Sequence, residues 1–217
     1  MLGLLLLIIV GQQGIAVADP VSTPFGQSVW IGDARQIITV KSIRPGSTYA
    51  NFTGWSIIGG RWARSFGPVE ARVGAAGTTT SPRDNYPGTP IGTFTLRQAF
   101  GLRTAPAGTT LPYRVLTSND WWVSDSGSRY YNTWQVGPPN GRWNPAIGER
   151  LAAYSAYAYA VVMDYNRNPI VKGRGSAFFL HVGNGQPTAG CVSVSSGHMQ
   201  ALLRWLVASS RPRIAIL

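Results

Sequence analysis

Residues 173–196 read GRGSAFFLHVGNGQPTAGCVSVSS, and two apolar runs in this stretch organise the chain around it. The runs 176–182 and 191–194 have the length and composition of buried strands. Between them Gly183, Gly185, Pro187 and Gly190 mark a turn-rich connection. His181 stands at the end of the first run and Cys191 at the start of the second. A turn between two adjacent strands brings those ends together. Downstream, Ser195 or Ser196 can cap a helix in which Met199, Leu202, Leu203 and Leu206 follow the i, i+3, i+4, i+7 stripe. That helix ends before Pro212, and residues 213–217 read as a closing strand.

Working upstream, the pattern stays mostly β. Residues 36–42 form a β-branched run, and residues 92–96 follow a Pro-Gly-Thr-Pro turn. Tyr157, Tyr159 and Val161 alternate with Ala158 and Ala160, which predicts a strand over 156–164. Many short strands with one or two short helices imply a mainly β domain, a β-rich sandwich or barrel-like fold. The segment 120–144 is different: it sets Trp121, Trp122, Tyr130, Tyr131, Trp134 and Trp143 among polar residues and glycines. Aromatics in such a segment fit either a lid or cleft wall, with Trp121, Tyr131 and Trp134 facing substrate, or core packing beneath a long loop.

Composition narrows the function. The chain has 217 residues, of which 44% are hydrophobic and 11% aromatic, enough to bury a core and to exclude a wholly disordered protein. One cysteine excludes an intrachain disulfide and a zinc site built on several thiolates. The net charge of +11 comes from 17 Arg and two Lys, spread from Arg35 to Arg213 without a run. Nucleic acid is the first partner such a charge brings to mind. The N-terminus argues otherwise: residues 2–10, LGLLLLIIV, precede the small-x-small site Ala16-Val17-Ala18. That is the layout of a signal peptide over 1–18, N-truncated or weak because no basic residue precedes the run. A retained N-terminal anchor is the alternative. The expected organisation is therefore a leader over 1–18, a linker over 19–34 and one domain over 35–217. An exported basic protein points to an acidic polymer or lipid outside the cell, with a merely solvated basic face as the plain alternative.

Chemistry concentrates at Cys191. A thiol attacks only as thiolate, so it needs a base or a positive field, and His181 is the nearest imidazole in the pattern. Gly190 leaves room for a carbonyl beside the Gly190 and Cys191 N–H groups, the usual construction of an oxyanion hole. Two other readings use the same atoms. Cys191 can be a buried, inert hydrophobe, or His181, Cys191 and His198 can bind zinc, although their spacing matches no common zinc pattern.

The turn Thr188-Ala189-Gly190-Cys191-Val192, preceded by His181, resembles the signature of the L,D-transpeptidase (YkuD-type) family. Thr89-Pro90-Ile91-Gly92-Thr93-Phe94 is similar to the strand that lies well upstream of it in that family. The resemblance runs from about Arg35 to Leu217. Two departures, Ala189 where many members carry His and a His-to-Cys interval of ten residues, are similar to a secreted actinobacterial branch. The resemblance implies an exported cysteine acyltransferase without metal or organic cofactor. Cys191 would be the nucleophile, His181 the general base and acid, and Thr188 a cleft residue. The implied substrates are peptidoglycan stem peptides joined by 3→3 cross-links, and the implied covalent inhibitors are carbapenems. The sequence does not identify the group that orients His181; similar enzymes often use a backbone carbonyl there. An L,D-carboxypeptidase or hydrolase using the same pair, a non-catalytic wall-binding protein, and a redox role for Cys191 are the alternatives.

Overall fold

The computed structural model describes residues 30–217. The leader expected over 1–18 and most of the 19–34 linker lie outside the described residues. Fifteen strands follow in chain order: β1 Gln36–Ser42, β2 Tyr49–Ile58, β3 Arg61–Arg72, β4 Thr78–Thr79, β5 Thr89–Pro90, β6 Gly92–Thr95, β7 Ala99–Gly101 and β8 Tyr113–Val115. Then come β9 Asp120–Trp122, β10 Trp134–Val136, β11 Glu149–Arg150, β12 Ala160–Val162, β13 Phe179–Val182, β14 Val192–Val194 and β15 Arg213–Ile216. One α-helix, α1 (Ser196–Trp205), lies between β14 and β15. The protein is mainly β, as the strand pattern implied.

Ten of the strands form a single curled sheet in the order β6-β15-β1-β2-β3-β14-β13-β12-β7-β8. β1 explains its own position. Five consecutive residues, from Gln36 to Val40, are buried, and the strand is parallel to β15 on one side and antiparallel to β2 on the other. A strand covered on both faces reads as a continuous apolar run. The β2–β3 hairpin turns at Gly59 and Gly60, both at positive φ (57° and 79°), the backbone a two-residue hairpin turn requires. Much of β3 is exposed or half-buried, so its sequence carries little alternation.

Side-chain alternation divides the sheet between two large cores, with a small third cluster at Ala34, Ile37 and Ala215. Ile38, Val40, Leu180, Val192 and Val194 point to the face covered by α1, where they meet Met199, Leu202 and Leu203. Ala160, Val162, Phe179 and Cys191 point to the other face, against Phe100, Trp122, Leu151 and Tyr157. Ser195 caps α1 by accepting the His198 N–H, and the expected stripe from Met199 to Leu206 is fully buried.

The strand expected over 156–164 divides in two. Ser155–Ala158 coils into a 3-10 turn, and only Ala160–Val162 is extended. The cause is Tyr157, at φ −88° and ψ 27°: its ring packs among Phe100, Phe179 and His181 while its hydroxyl reaches Glu149.

Candidate active site

β13 and β14 are adjacent and parallel, with Leu180 beside Val192 and His181 beside Ser193. The connection therefore doubles back to the start of β13 before the second strand begins. Parallel pairing gives partners the same facing, so Phe179, His181, Ser193 and the preceding Cys191 all lie on the aromatic side. Cys191 stands at the level of Phe179, and His181 is one strand repeat further along the same face.

The loop before Cys191 is tied from both directions. Thr188 Oγ1 donates to the Cys191 carbonyl at 2.6 Å and accepts the Gly190 N–H at 3.1 Å. Thr89, at the start of β5, is fully buried; its hydroxyl donates to the same carbonyl at 3.1 Å and accepts the Gly74 N–H at 2.8 Å. Gly190 sits at φ 140°, and a Cβ there would lie 2.7 Å from the Phe178 ring, so only glycine fits. Its N–H, expected to be free for an oxyanion, is held by Thr188.

The Cys191 sulfur accepts the Phe179 N–H at 3.3 Å, and its S–H donates to the Ala177 carbonyl at 3.4 Å. Ala177 is in turn placed by Asn132, whose Oδ1 accepts both the Ala177 N–H and the Trp122 indole N–H. The sequence reading expected imidazole on the sulfur; here the thiol proton points to Ala177 instead. Burial, and secondarily the charge of Glu149, push the thiol up to about 12, so at neutral pH it is protonated.

His181 is buried, and burial holds its imidazole below the usual value of 6.5. Nδ1 lies 2.9 Å from the Val182 carbonyl. A carbonyl oxygen can only accept, so Nδ1 carries the proton and Nε2 keeps the free lone pair. This backbone oxygen is the group that orients the ring. The Tyr157 ring meets the imidazole edge-on at 5.6 Å between centroids, and the Tyr157 hydroxyl donates to Glu149 Oε2 at 2.7 Å. Burial raises the Glu149 carboxyl to about 7, which the tyrosine hydrogen bond only partly offsets.

These groups open on one cavity of about 890 Å³, whose lining includes Glu149, Tyr157, His181, Thr188, Gly190 and Cys191. Ser193 Oγ also lines it, fully buried and without a hydrogen-bond partner. Trp121, Tyr131 and Trp134 are placed behind this lining. Tyr131 is buried with its hydroxyl on the Asp84 carboxylate, Trp134 donates to Asp120 at 3.0 Å, and Trp121 meets Trp143 edge-on.

A cysteine and a histidine facing one cavity, with the upstream Thr89 strand bracing the cysteine loop, can serve acyl transfer. The family model for the YkuD L,D-transpeptidase catalytic domain matches residues 52–214. The chain belongs to this family. Among solved structures, this YkuD-type domain is similar to the crystal structure of the helical cell shape determining protein Pgp2 from Campylobacter jejuni. The two share 10% sequence identity at a TM-score of 0.41, over 85% of this chain and 48% of that one. This chain thus spans about half the length of that protein. No curated protein matches the sequence.

Sequence reasoning missed three residues of this YkuD-type site. Thr89 lies inside the quoted Thr-Pro strand, but its hydrogen bond to Cys191 spans 102 positions. Asn132 looks like one more polar residue of an irregular segment; its positive φ of 55° is invisible in sequence. Glu149 carried a usable signal, as a glutamate in a chain with eight acidic residues against 19 basic ones.

Proposed function

We propose that this protein is an exported L,D-transpeptidase that forms 3→3 cross-links between peptidoglycan stem peptides, with Cys191 as nucleophile and His181 as its base. The observation that carries the reading is the shared cavity face of Cys191 and His181, with the imidazole held in the tautomer that leaves Nε2 free. Rotation of the thiol away from Ala177 delivers its proton to that lone pair. In the same step the sulfur bonds to the carbonyl carbon of the third stem residue, and the bond to the terminal D-Ala breaks next. The proton on His181 passes to the leaving amine. Next, the side-chain amine of a second stem forms a C–N bond as the C–S bond breaks, and its proton returns the site to thiol and neutral imidazole. Neither group is charged at the outset, so proton transfer accompanies attack rather than preceding it.

The Cys191 N–H is the first donor to the developing oxyanion. The Gly190 N–H joins it by leaving Thr188 Oγ1, because an anionic acceptor outcompetes a neutral hydroxyl. The family membership and the apolar N-terminal run support action on the wall outside the membrane. The short His-to-Cys interval and the arginine-rich composition support the secreted actinobacterial branch.

Incubation with purified tetrapeptide stems, followed by separation of products by mass, tests the reading. The expected product is a cross-linked dimer with release of D-Ala. Release of D-Ala with trimmed monomer alone would make the protein a carboxypeptidase on the same pair. Unchanged stems would remove the acyl-transfer reading.

A further inference from the structure

The steps above leave the cavity's Glu149 carboxyl without a task. Glu149 and Asp84 are the two acidic residues on the cavity wall of a chain with net charge +11. Asp84 is engaged by the Tyr131 hydroxyl, and Asp33, Asp120 and Asp164 each hold at least one arginine. Glu149 has a hydrogen bond from Tyr157 and no ion pair among the described residues. Its isolation is built into the strand. β11 consists of Glu149 and Arg150, paired to Trp122 and Trp121 of β9. Alternation sends the two side chains to opposite sides: Glu149 lines the cavity, while the exposed Arg150 donates to the Ser118 carbonyl at 2.9 Å.

An acidic side chain that faces a cavity, denied every one of 17 arginines, is arranged for a cation that arrives from outside. The rings next to it fit the same guest. Tyr154 and Tyr157 line the cavity beside the carboxyl, with ring centroids 5.5 Å apart, and aromatic faces attract an ammonium group. We infer that Glu149, flanked by Tyr154 and Tyr157, is the subsite for a primary ammonium group on the peptide being processed. The inference deepens the acyl-transfer reading and rests on it for the ligand's identity, the side-chain amine of a diamino acid.

Electrostatics links this subsite to the thiol. The groups that feel Glu149 are Tyr154, Tyr157 and Cys191; burial and the Glu149 charge raise all three, so each is neutral at neutral pH. His181 meets the subsite through the Tyr157 ring. Arg83, the arginine on the cavity wall, lies with its guanidinium 4.2 Å from the Tyr86 ring centroid and makes no ion pair with Glu149, so the carboxyl stays open to an arriving ammonium. Once bound, it offsets the negative field at Cys191, so a filled subsite eases ionisation of the sulfur. Burial holds the empty carboxyl at about 7, which makes ammonium binding strengthen as pH rises through that region.

Binding to the full chain carrying Cys191→Ala tests the subsite without any turnover. The probe is Nα-acetyl-lysine amide, followed by NMR titration at pH 8, with its Nε-acetylated form as the neutral control. Saturable binding is expected for the ammonium probe, and at least tenfold weaker binding for the control. Adding Glu149→Gln should weaken the ammonium probe by the same factor, with folding verified by the dispersion of the same spectra. Cys191→Ala with Tyr157→Phe should retain binding but shift its pH midpoint upward, because the lost hydroxyl favoured the ionised carboxylate. No saturable binding, equal affinity for the two probes, or indifference to Glu149→Gln would overturn the subsite. These results do not depend on acylation, so failure here and failure of Cys191 to acylate are separate outcomes.

Discussion

The two faces of the sheet have differently built centres, aliphatic on one and aromatic on the other, and the site lies on the face whose centre is a cluster of edge-on rings. On the α1 side, aliphatic residues such as Ile38, Leu180, Val192 and Leu203 fill the centre with contacts that have no preferred angle, and the edge-on pair of Phe66 with Trp205 involves partly buried rings packed against that centre. On the opposite side, Phe179 is met edge-on by Phe100, Trp122 and Tyr157, at 5.1, 5.0 and 5.5 Å between centroids. Rings at near-right angles fix orientation as well as distance. The backbone N–H of Phe179 is also a donor to the Cys191 sulfur, so ring packing and thiol position are one structure. The difference teaches a division of labour. The aliphatic face supplies stability that tolerates small shifts, and the aromatic face supplies placement that does not.

Substitutions on each side can break that comparison. The largest effect is expected for His181→Gln, which keeps a polar side chain and loses the base; acylation of Cys191 should slow roughly 10²–10⁴-fold, with the thermal midpoint little changed. In the wild type, the lowered imidazole value moves the loss of the base on acidification to a lower pH than a free imidazole would show, as stopped-assay rates against pH would report. On the aliphatic face, Leu203→Ala should cost about 2–5 kcal/mol in urea unfolding. The acylation rate of the protein that remains folded should stay at the wild-type value. A Leu203→Ala protein of normal stability but slow acylation would invert the division.

Glu149→Gln sharpens the comparison further, because the aromatic face also bears a stability cost. The folded carboxyl, at about 7, lies above its ordinary value of 4.5, so between those pH values the folded state holds more protons than the unfolded one. Its contribution is complete below about pH 4.5 and is lost as pH rises through about 7. Wild-type stability should therefore fall over that window relative to Glu149→Gln, by up to about 3 kcal/mol at pH 8. Chemical unfolding at several pH values measures it, and parallel curves would refute the burial argument. The smallest effect is expected for Thr89→Val, which leaves the Gly74 N–H unpaired while Thr188 still holds the Cys191 carbonyl. A loss of about 1–2 kcal/mol is expected, with acylation slowed several-fold in a rate measurement.

The aliphatic face was the more legible in sequence. The stripe from Met199 to Leu206, its Ser195 cap and the run at 36–42 are periodic signals within single elements, and the structure carries them nearly residue for residue. The family-bearing turn at 188–192 was legible for the same reason, being local. The aromatic face was not. Its order depends on contacts such as Asn132 to Ala177 and Thr89 to Cys191, between residues 45 and 102 positions apart. Period and composition do not register such pairs, and the 3-10 turn at Tyr157 imitates strand alternation. The arginine excess over lysine also becomes clear only in three dimensions. The guanidinium groups of Arg72, Arg142, Arg167 and Arg213 lie over aromatic rings, a stacking that planar arginine makes and lysine does not.

The central claim is that the buried thiol of Cys191, served by His181, is an acyl acceptor. Intact-mass measurement after incubation with a carbapenem tests it most directly, because adduct formation needs nucleophile, base and cavity together. The account predicts a single covalent adduct on the wild type, absent from Cys191→Ala and slowed by His181→Gln. A wild-type protein that stays unmodified, while a small alkylating reagent still labels Cys191 at high pH, would contradict it.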